Sequence, residues 1–203
     1  MAAQKIVIID TGCANISSVK FAVERLGVTV NVSDDASVIQ GADKVFLPGV
    51  GSAQNAMQSI ANKGLIPVVQ SLQQPVLGIC LGMQLMTTDS AESGLHSTVH
   101  VAGLNVIPGK VRRMQVGELR LPHMGWNAIT TQDETLFKGI GNGTYFYFVH
   151  SYAVAQYENT LASCEYGMAF SAAIHKDNFY GVQFHPERSG DAGATLLENF
   201  IGL

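Results

Sequence analysis

Few features of this 203-residue chain point to a membrane, to nucleic acid or to secretion. Only 14% of the residues are charged and the formal net charge is -4, so we expect no basic surface for nucleic acid. No apolar run approaches the roughly 20 residues that a membrane-spanning helix requires. A strand-like segment follows Met1–Gln4 directly and leaves no room for a signal peptide. We therefore expect a cytoplasmic protein.

Cysteine is also scarce. The three cysteines, Cys13, Cys80 and Cys164, are too few and too dispersed for a disulfide framework. This count fits a reducing compartment, and it leaves each thiol to be judged by its own surroundings.

Metal and cofactor motifs are missing from the sequence as well. His96 and His100 have a helical spacing, but the residues between them favour an extended chain and no zinc-protease glutamate follows His96. The glycines of Gly139–Gly143 precede a strand, whereas those of a dinucleotide-binding loop follow one. We expect neither a metal nor a bound cofactor.

The first half of the chain alternates strand and helix patterns. The predicted strands are residues 5–10, 28–32, 44–47 (broken by Pro48-Gly49) and 76–79. Asn15 and Ser52 are predicted to cap helices that end before Gly27 and Gly64. This alternation indicates an α/β protein with a parallel, doubly wound sheet.

The second half has a different pattern. Short strand fragments between residues 99 and 123 are followed by hairpin-like strands at 145–149, 160–164, 170–175 and 179–184, and by a closing helix at 192–201. We expect a mixed sheet with an antiparallel extension. No linker or repeat divides the chain, so residues 1–203 are predicted to form one domain, at most with a small subsidiary sheet.

The segment Gly78-Ile79-Cys80-Leu81-Gly82 has the pattern of a nucleophile elbow between a strand and a helix. Glycines two positions before and after Cys80 avoid collisions in a sharp turn. The following helix N-terminus would stabilise a thiolate. The alternative is a buried cysteine between two packing glycines.

A thiolate nucleophile needs a base and a group that orients the base. His185 follows an apolar strand, and Glu187 can accept a hydrogen bond from one nitrogen of its imidazole, leaving the other nitrogen for Cys80. Pro48–Gly51 ends another strand and could direct amide groups into the same site, although an ordinary Pro-Gly turn has the same sequence. The combination of the three segments favours the catalytic interpretation.

Pro48–Gly51, Gly78–Gln84 and His185–Glu187 together resemble the class I glutamine amidotransferases. Leu121–Asn127 and Tyr147–Tyr152 narrow the resemblance to the glutaminase subunits of imidazole glycerol phosphate synthase. The resemblance extends from Ile6 to the last helix. It implies the flavodoxin-like fold of the family.

The resemblance also implies a role for each matching residue. Cys80 is expected to be the nucleophile, His185 the general base and acid, and Glu187 the orienting carboxylate. The expected oxyanion hole comprises Val50, Gly51 and Leu81. The residues expected to hold L-glutamine are Gly51, Gln84, Glu92, His150, Ser151 and Tyr152. A carboxylate such as that of Glu92 can pair with the α-ammonium group of glutamine.

The implied partner is a cyclase subunit with a (β/α)8-barrel fold, which forms a heterodimer with the glutaminase and consumes the ammonia. Because this chain ends at Leu203 without a barrel, the cyclase is expected to be a separate polypeptide. Asn15, Trp126 and Arg188 match interface positions, and Trp126 is predicted to lie in a loop, either as an exposed anchor or in the core. Many relatives begin the first loop with Asp-Tyr-Gly-x-Gly-Asn, whereas this chain has Asp10-Thr-Gly-Cys-Ala-Asn15.

Three alternatives remain on sequence grounds. The chain could be the glutaminase of another pathway, such as pyridoxal phosphate or anthranilate synthesis, although Pro122–Asn127 disfavours this. It could be a cysteine hydrolase on the same scaffold, although such sites place nucleophile and histidine closer in sequence. A ligand-binding module without activity would have no use for a nucleophile, a base and an orienting group together.

Overall fold

A computed structural model of the chain describes residues 4–12, 15–93 and 100–203. Within these ranges the strands are β1 (Ile6–Ile9), β2 (Val30–Ser33), β3 (Lys44–Gly49), β4 (Val76–Cys80), β5 (Asp89–Ser90), β6 (Val101–Ala102), β7 (Lys110–Arg113), β8 (His123–Thr131), β9 (Tyr145–His150), β10 (Tyr152–Val154), β11 (Thr160–Glu165), β12 (Ala169–Lys176) and β13 (Phe179–Val182). The helices are α1 (Ile16–Glu24), α2 (Ala36–Gln40), α3 (Ala53–Asn62), α4 (Leu65–Gln70), α5 (Leu81–Leu85) and α6 (Gly190–Ile201), with a 3-10 turn at Pro186–Arg188. None of these helices is long and apolar enough to cross a membrane.

Nine strands form one mixed sheet in the order β2-β1-β3-β4-β13-β12-β11-β8-β9. The strands from β2 to β13 in this order pair in parallel, and the pairs from β13 to β9 are antiparallel. The predicted parallel core with an antiparallel extension is therefore confirmed. The other four strands form a separate small sheet in the order β10-β7-β5-β6.

Apolar side chains cover both faces of the parallel region. Along β1, Ile6 and Ile8 belong to one buried cluster and Val7 and Ile9 to the other. Helices α1 and α6 pack on the first face, and α3 and α4 pack on the second. This alternation explains why a run of four β-branched residues forms a central strand, because both of its faces are buried.

The sequence predicted that the third strand would end before Pro48, but β3 does not break there. It continues to Gly49, with Pro48 opposite Ile79 and Gly49 opposite Cys80 in β4. A proline is tolerated here because β1, the neighbour on the other side, pairs with β3 only as far as Phe46. The longer strand carries its last residue to the position of the expected nucleophile.

The helix ends match the predictions in part. Ser52 caps α3 by accepting a hydrogen bond from the Asn55 amide, as expected. Asn15 occupies the N-cap position of α1, but its side chain makes no capping bond. The short helices α2 and α4 were not predicted, although Asp35 caps α2 through the amides of Ser37 and Val38.

Candidate active site

Cys80 stands at a sharp turn where β4 ends and α5 begins. Its φ of 54° lies in the left-handed region that non-glycine residues rarely adopt. A side-chain carbon at Gly78 would lie 2.7 Å from the Met83 amide nitrogen, and one at Gly82 would lie 1.8 Å from the Leu47 carbonyl oxygen. Both glycines are therefore required by backbone contacts, which is the reason that the sequence pattern suggested.

The loop after β3 meets this turn directly. Gly49 pairs with Cys80, and a side-chain carbon at Gly49 would lie 2.8 Å from the Gly82 amide nitrogen. Gly51 has a φ of 92°, which turns the chain away from the strand. This close approach places Val50 and Gly51 beside Leu81 at the mouth of a cavity.

The fold brings His185 to the same place from a distant part of the sequence. Strand β13 pairs in parallel with β4, with Val182 opposite Ile79, so the two strands end at the same edge of the sheet. The His185 amide donates to the Tyr147 carbonyl at 2.9 Å, and the Ser189 hydroxyl donates to the His185 carbonyl at 2.7 Å. Main-chain bonds on both sides thus hold the imidazole in position.

The Glu187 carboxylate orients the imidazole. The distance from His185 Nδ1 to Glu187 Oε1 is 2.8 Å, and both side chains are almost fully buried. His185 Nε2 is buried and has no hydrogen-bond partner among the described residues. The geometry leaves Nε2 available to the cavity.

The neighbours of His185 raise its pKa more than burial lowers it. Burial by itself lowers the pKa of His185, but Cys80 and Glu187 raise it, with a net result of about 10. The proton is favoured on the imidazole because a sulfur and a carboxylate lie on its two sides. The raised pKa therefore favours a protonated imidazole in this site.

These residues line a cavity of about 270 Å³. The cavity brings together nearly all the residues predicted for the site, namely Asn15, Val50, Gly51, Cys80, Leu81, Gln84, Glu92, His150, Ser151, Tyr152, His185 and Arg188. Glu187 lies behind His185, and Trp126 is not part of the cavity wall.

The Gln84 side chain reaches the cavity from α5, and the nitrogen of its amide is fixed by hydrogen bonds. Its Nε2 donates to the Tyr152 carbonyl at 2.9 Å and to Gln183 Oε1 at 2.8 Å. The Oε1 atom of Gln84 remains as an acceptor. Gln183, which the sequence did not single out, also donates from Nε2 to Cys80 Sγ at 3.7 Å. Its position two residues before His185, near the end of the predicted strand 179–184, was the available signal, because alternate residues of a strand point to the same side.

The His150 side chain is committed within the protein. Its Nδ1 lies 2.9 Å from the Tyr152 carbonyl, and its Nε2 lies 3.0 Å from Nδ1 of His123. Burial lowers the pKa of His150 to about 3, slightly offset by the bond to Tyr152. Because both ring nitrogens are occupied, the main chain around His150 is the part available to a ligand. His123 was missed by the sequence reasoning as a partner of this site.

Glu92 also lines the cavity. Its Oε2 accepts a hydrogen bond from the Ala53 amide at 3.3 Å, at the start of α3. Burial raises the pKa of Glu92, and this bond offsets part of the rise. A desolvated carboxylate of this kind would gain from a cationic partner.

Trp126 lies in strand β8, which corrects its predicted place in a loop. It is opposite Tyr147 of β9, and its side chain is 52% exposed, so it is not a core residue either. Pro122 and Gly125 suggested a loop, but the strand begins at His123, directly after the proline. Met124 and Tyr145 are also exposed on these two strands.

The remaining cysteines and histidines differ from the site residues. Burial raises the pKa of Cys164 to about 12, which makes it an unreactive thiol. Cys13 and His96 lie outside the described residues, and His100 contacts Asp89 at 3.3 Å. No cluster of metal-binding side chains occurs in residues 4–12, 15–93 or 100–203.

Comparison with solved structures supports the fold. A putative GMP synthase protein from Thermoplasma acidophilum has a TM-score of 0.75 at 19% identity, covering 100% of this chain and 94% of its own. PurLQS from Thermotoga maritima has a TM-score of 0.69 at 17% identity, covering 98% of each chain. At these identities the likeness concerns the fold alone.

Sequence comparison is more specific. The family model described as glutamine amidotransferase class-I matches residues 7–202. The imidazole glycerol phosphate synthase subunit HisH 1 of Vibrio vulnificus (strain YJ016) is 53% identical, covering 100% of both chains. The HisH subunit of Yersinia pseudotuberculosis is 55% identical, covering 98% of this chain and 99% of its own. This chain therefore belongs to the class I glutamine amidotransferase family, in the branch of the HisH subunits of imidazole glycerol phosphate synthase.

Proposed function

We propose that this chain is the glutaminase subunit of imidazole glycerol phosphate synthase, which hydrolyses L-glutamine and passes the ammonia to a separate cyclase subunit. The observation that carries the proposal is the single cavity shared by Cys80 and His185, with Glu187 bonded to His185 Nδ1. Identities of 53–55% to named HisH subunits over almost the full chain support it.

In the first step, Cys80 gives its proton to His185 and becomes the thiolate nucleophile. The raised pKa of His185 favours this proton on the imidazole. Glu187 stabilises the imidazolium and directs Nε2 toward the cavity. This transfer leaves the nucleophile and the acid in their reactive forms.

The thiolate attacks the side-chain amide carbon of glutamine. A C–S bond forms, and the carbonyl electron pair moves to oxygen, where the main-chain N–H groups of Leu81 and of Val50 or Gly51 stabilise it. The intermediate collapses as the C–N bond breaks and the leaving nitrogen takes the proton from His185 Nε2. Ammonia departs, and a glutamyl thioester on Cys80 remains.

Water completes the cycle. It gives a proton to the neutral His185, and the resulting hydroxide adds to the thioester carbonyl. Collapse breaks the C–S bond and returns the electron pair to Cys80 as a thiolate. Glutamate leaves, and the imidazolium–thiolate pair is restored.

Glutamine is held by groups on both sides of the nucleophile. Glu92 pairs with the α-ammonium group, and Gln84 accepts a hydrogen bond through Oε1, since its Nε2 is already used. His150, Ser151 and Tyr152 contribute mainly through their main chain, because the His150 ring is committed to other bonds.

The partner in this proposal is a (β/α)8-barrel cyclase, and the complex acts in the cytoplasm, where the thiol stays reduced. Asn15 and Arg188 border the cavity and Trp126 projects from β8, so these residues form the docking surface. Docking would select the orientation of the Val50–Gly51 peptide in which an amide faces the oxyanion. The isolated chain would therefore hydrolyse glutamine slowly.

The test is glutamine hydrolysis and cyclase product formation by the purified chain with and without a cyclase partner and its nucleotide substrate. We expect hydrolysis that depends on the loaded cyclase and is abolished by Cys80→Ala. Hydrolysis that is independent of the cyclase would keep the glutaminase chemistry and refute the assignment to this synthase. Unchanged hydrolysis by Cys80→Ala would refute the nucleophile.

A further inference from the structure

One polar side chain touches the nucleophile without being part of the proposed triad. Gln183 is completely buried between β4 and β12, and its Nε2 lies 3.7 Å from Cys80 Sγ. A buried amide must satisfy both of its ends, because an unpaired polar group inside a protein is costly. The partners of Gln183 therefore report which of its ends faces the sulfur.

Gln84 fixes the orientation of the Gln183 amide. The Nε2 of Gln84 donates to two acceptors, the Tyr152 carbonyl and Gln183 Oε1. A rotated Gln84 amide would place an oxygen against the Tyr152 carbonyl. With Gln84 set this way, only the oxygen of Gln183 can face it, so the NH₂ group of Gln183 must face Sγ.

The second polar neighbour of the sulfur has the opposite effect. The Val149 carbonyl oxygen lies 3.8 Å from Sγ and can only accept a hydrogen bond, so it favours the thiol. The Gln183 NH₂ group can only donate, so it favours the thiolate. Hydrogen bonds to a charged group are stronger than those between neutral groups, so the Gln183 contact gains strength when the proton leaves.

We propose that Gln183 is a further catalytic residue, which stabilises the Cys80 thiolate by donating from Nε2 to Sγ, and that Gln84 is a positioning residue that holds this donor in place. The inference rests on the proposed glutaminase function and adds a fourth group to its triad. It also links a glutamine-binding side chain to the nucleophile through two hydrogen bonds.

The experiment measures alkylation of Cys80 by iodoacetamide in the full-length chain between pH 5 and 10, followed by mass spectrometry. Alkylation requires the thiolate and no bound glutamine, so it is independent of turnover. Gln183→Met removes the donor at similar volume, and Gln183→Glu keeps the acceptor for Gln84 while placing an acid beside the sulfur. Gln84→Met keeps Gln183 and frees its amide. Gln74→Met is the matched control, since Gln74 binds main-chain carbonyls at the opposite end of β4.

We expect the half-maximal pH of Gln183→Met to rise by about one unit and its rate well below that pH to fall about tenfold, the effect of losing one hydrogen bond to a charged group. The alkylation rate of Gln183→Glu should fall further and that of Gln84→Met should fall less. The rate of Gln74→Met should stay unchanged. Wild-type rates in a folded Gln183→Met variant would overturn the inference. If that variant does not fold, a wild-type pH profile for Gln84→Met would overturn it. Wild-type Cys80 reacting no faster than Cys164 would instead contradict the proposed function itself.

Discussion

The floor of the cavity and its rim are built differently. The floor consists of the buried cavity residues Cys80, Gln84 and His185. The buried Gln183 supports it through hydrogen bonds with Gln84 and Cys80. The rim consists of Asn15, Val50 and Arg188, which are partly or well exposed, Val50 by 41%. The difference supports the proposal that the fold of this chain sets the proton chemistry and that a partner completes the outer contacts.

The glycines of the two regions give the sharpest comparison. Gly82→Ala would drive a side chain into the Leu47 carbonyl, at a cost of about 3 kcal/mol of unfolding free energy. Gly51→Ala meets no atom within 4 Å, but its φ of 92° makes the substitution cost roughly 1 kcal/mol. Urea unfolding of both variants measures the difference. Equal destabilisation would contradict the distinction between floor and rim.

The pH dependence of stability tests the buried histidine of the site, His150. The pKa of His150 is about 3 in the folded chain and near 6.5 in the unfolded chain, so the unfolded state takes up the proton first. Stability should be lost as the pH falls from about 6.5 toward 3, by up to roughly 4 kcal/mol.

The control is His150→Gln, in which the difference from wild type isolates this histidine from the carboxylates that titrate in the same range. A wild-type slope in the variant would contradict the assignment. The contribution of His185 to stability depends on pH in the opposite direction. Because its pKa is raised to about 10, its contribution is complete below pH 6.5 and is lost as the pH rises toward 10.

Removing the charge of Glu187 should affect activity more than stability. Glu187→Gln keeps the side-chain size but removes the negative charge beside the imidazolium. We expect kcat to fall about 10- to 100-fold and its alkaline limb to move to lower pH, because the pKa of His185 drops. A pH profile of glutaminase activity with the cyclase present measures this. A reduced rate with an unmoved alkaline limb would indicate a structural role only.

Trp126→Ala should have the smallest effect on the chain itself. Removing an exposed side chain changes stability by no more than about 0.5 kcal/mol. If Trp126 is an interface anchor, its truncation should weaken binding of the cyclase more than tenfold. Binding of the cyclase, measured by calorimetry, would show the loss. Phe21→Ala removes a similarly exposed aromatic from α1 and serves as the control. Equal effects of the two variants would remove Trp126 from the interface.

The sequence predicted the turn at Cys80 and the His185–Glu187 pair for physical reasons. Glycines two positions on either side of Cys80 are forced by backbone contacts, so the pattern alone reveals the turn. Glu187 lies close enough in sequence to His185 for a local prediction. The pairing of β4 with β13 was not predicted, because apolar character does not specify which strands become neighbours.

Other features depended on contacts that no local pattern carries. The role of Gln183 depends on Gln84, from a different element, and the His150 ring is occupied by His123 of a neighbouring strand. Strand β8 was missed because Pro122 and Gly125 resemble loop residues. The short helix α4 contains too few residues to show a helical period.

The most direct test compares Cys80 alkylation with glutamine hydrolysis, each with and without the loaded cyclase. A floor that is complete in the isolated chain predicts that the pH of half-maximal alkylation stays the same while the hydrolysis rate rises at least tenfold, about 1.4 kcal/mol of transition-state stabilisation. A half-maximal pH that shifts downward in step with the hydrolysis rate would contradict the account, because the partner would then be creating the thiolate.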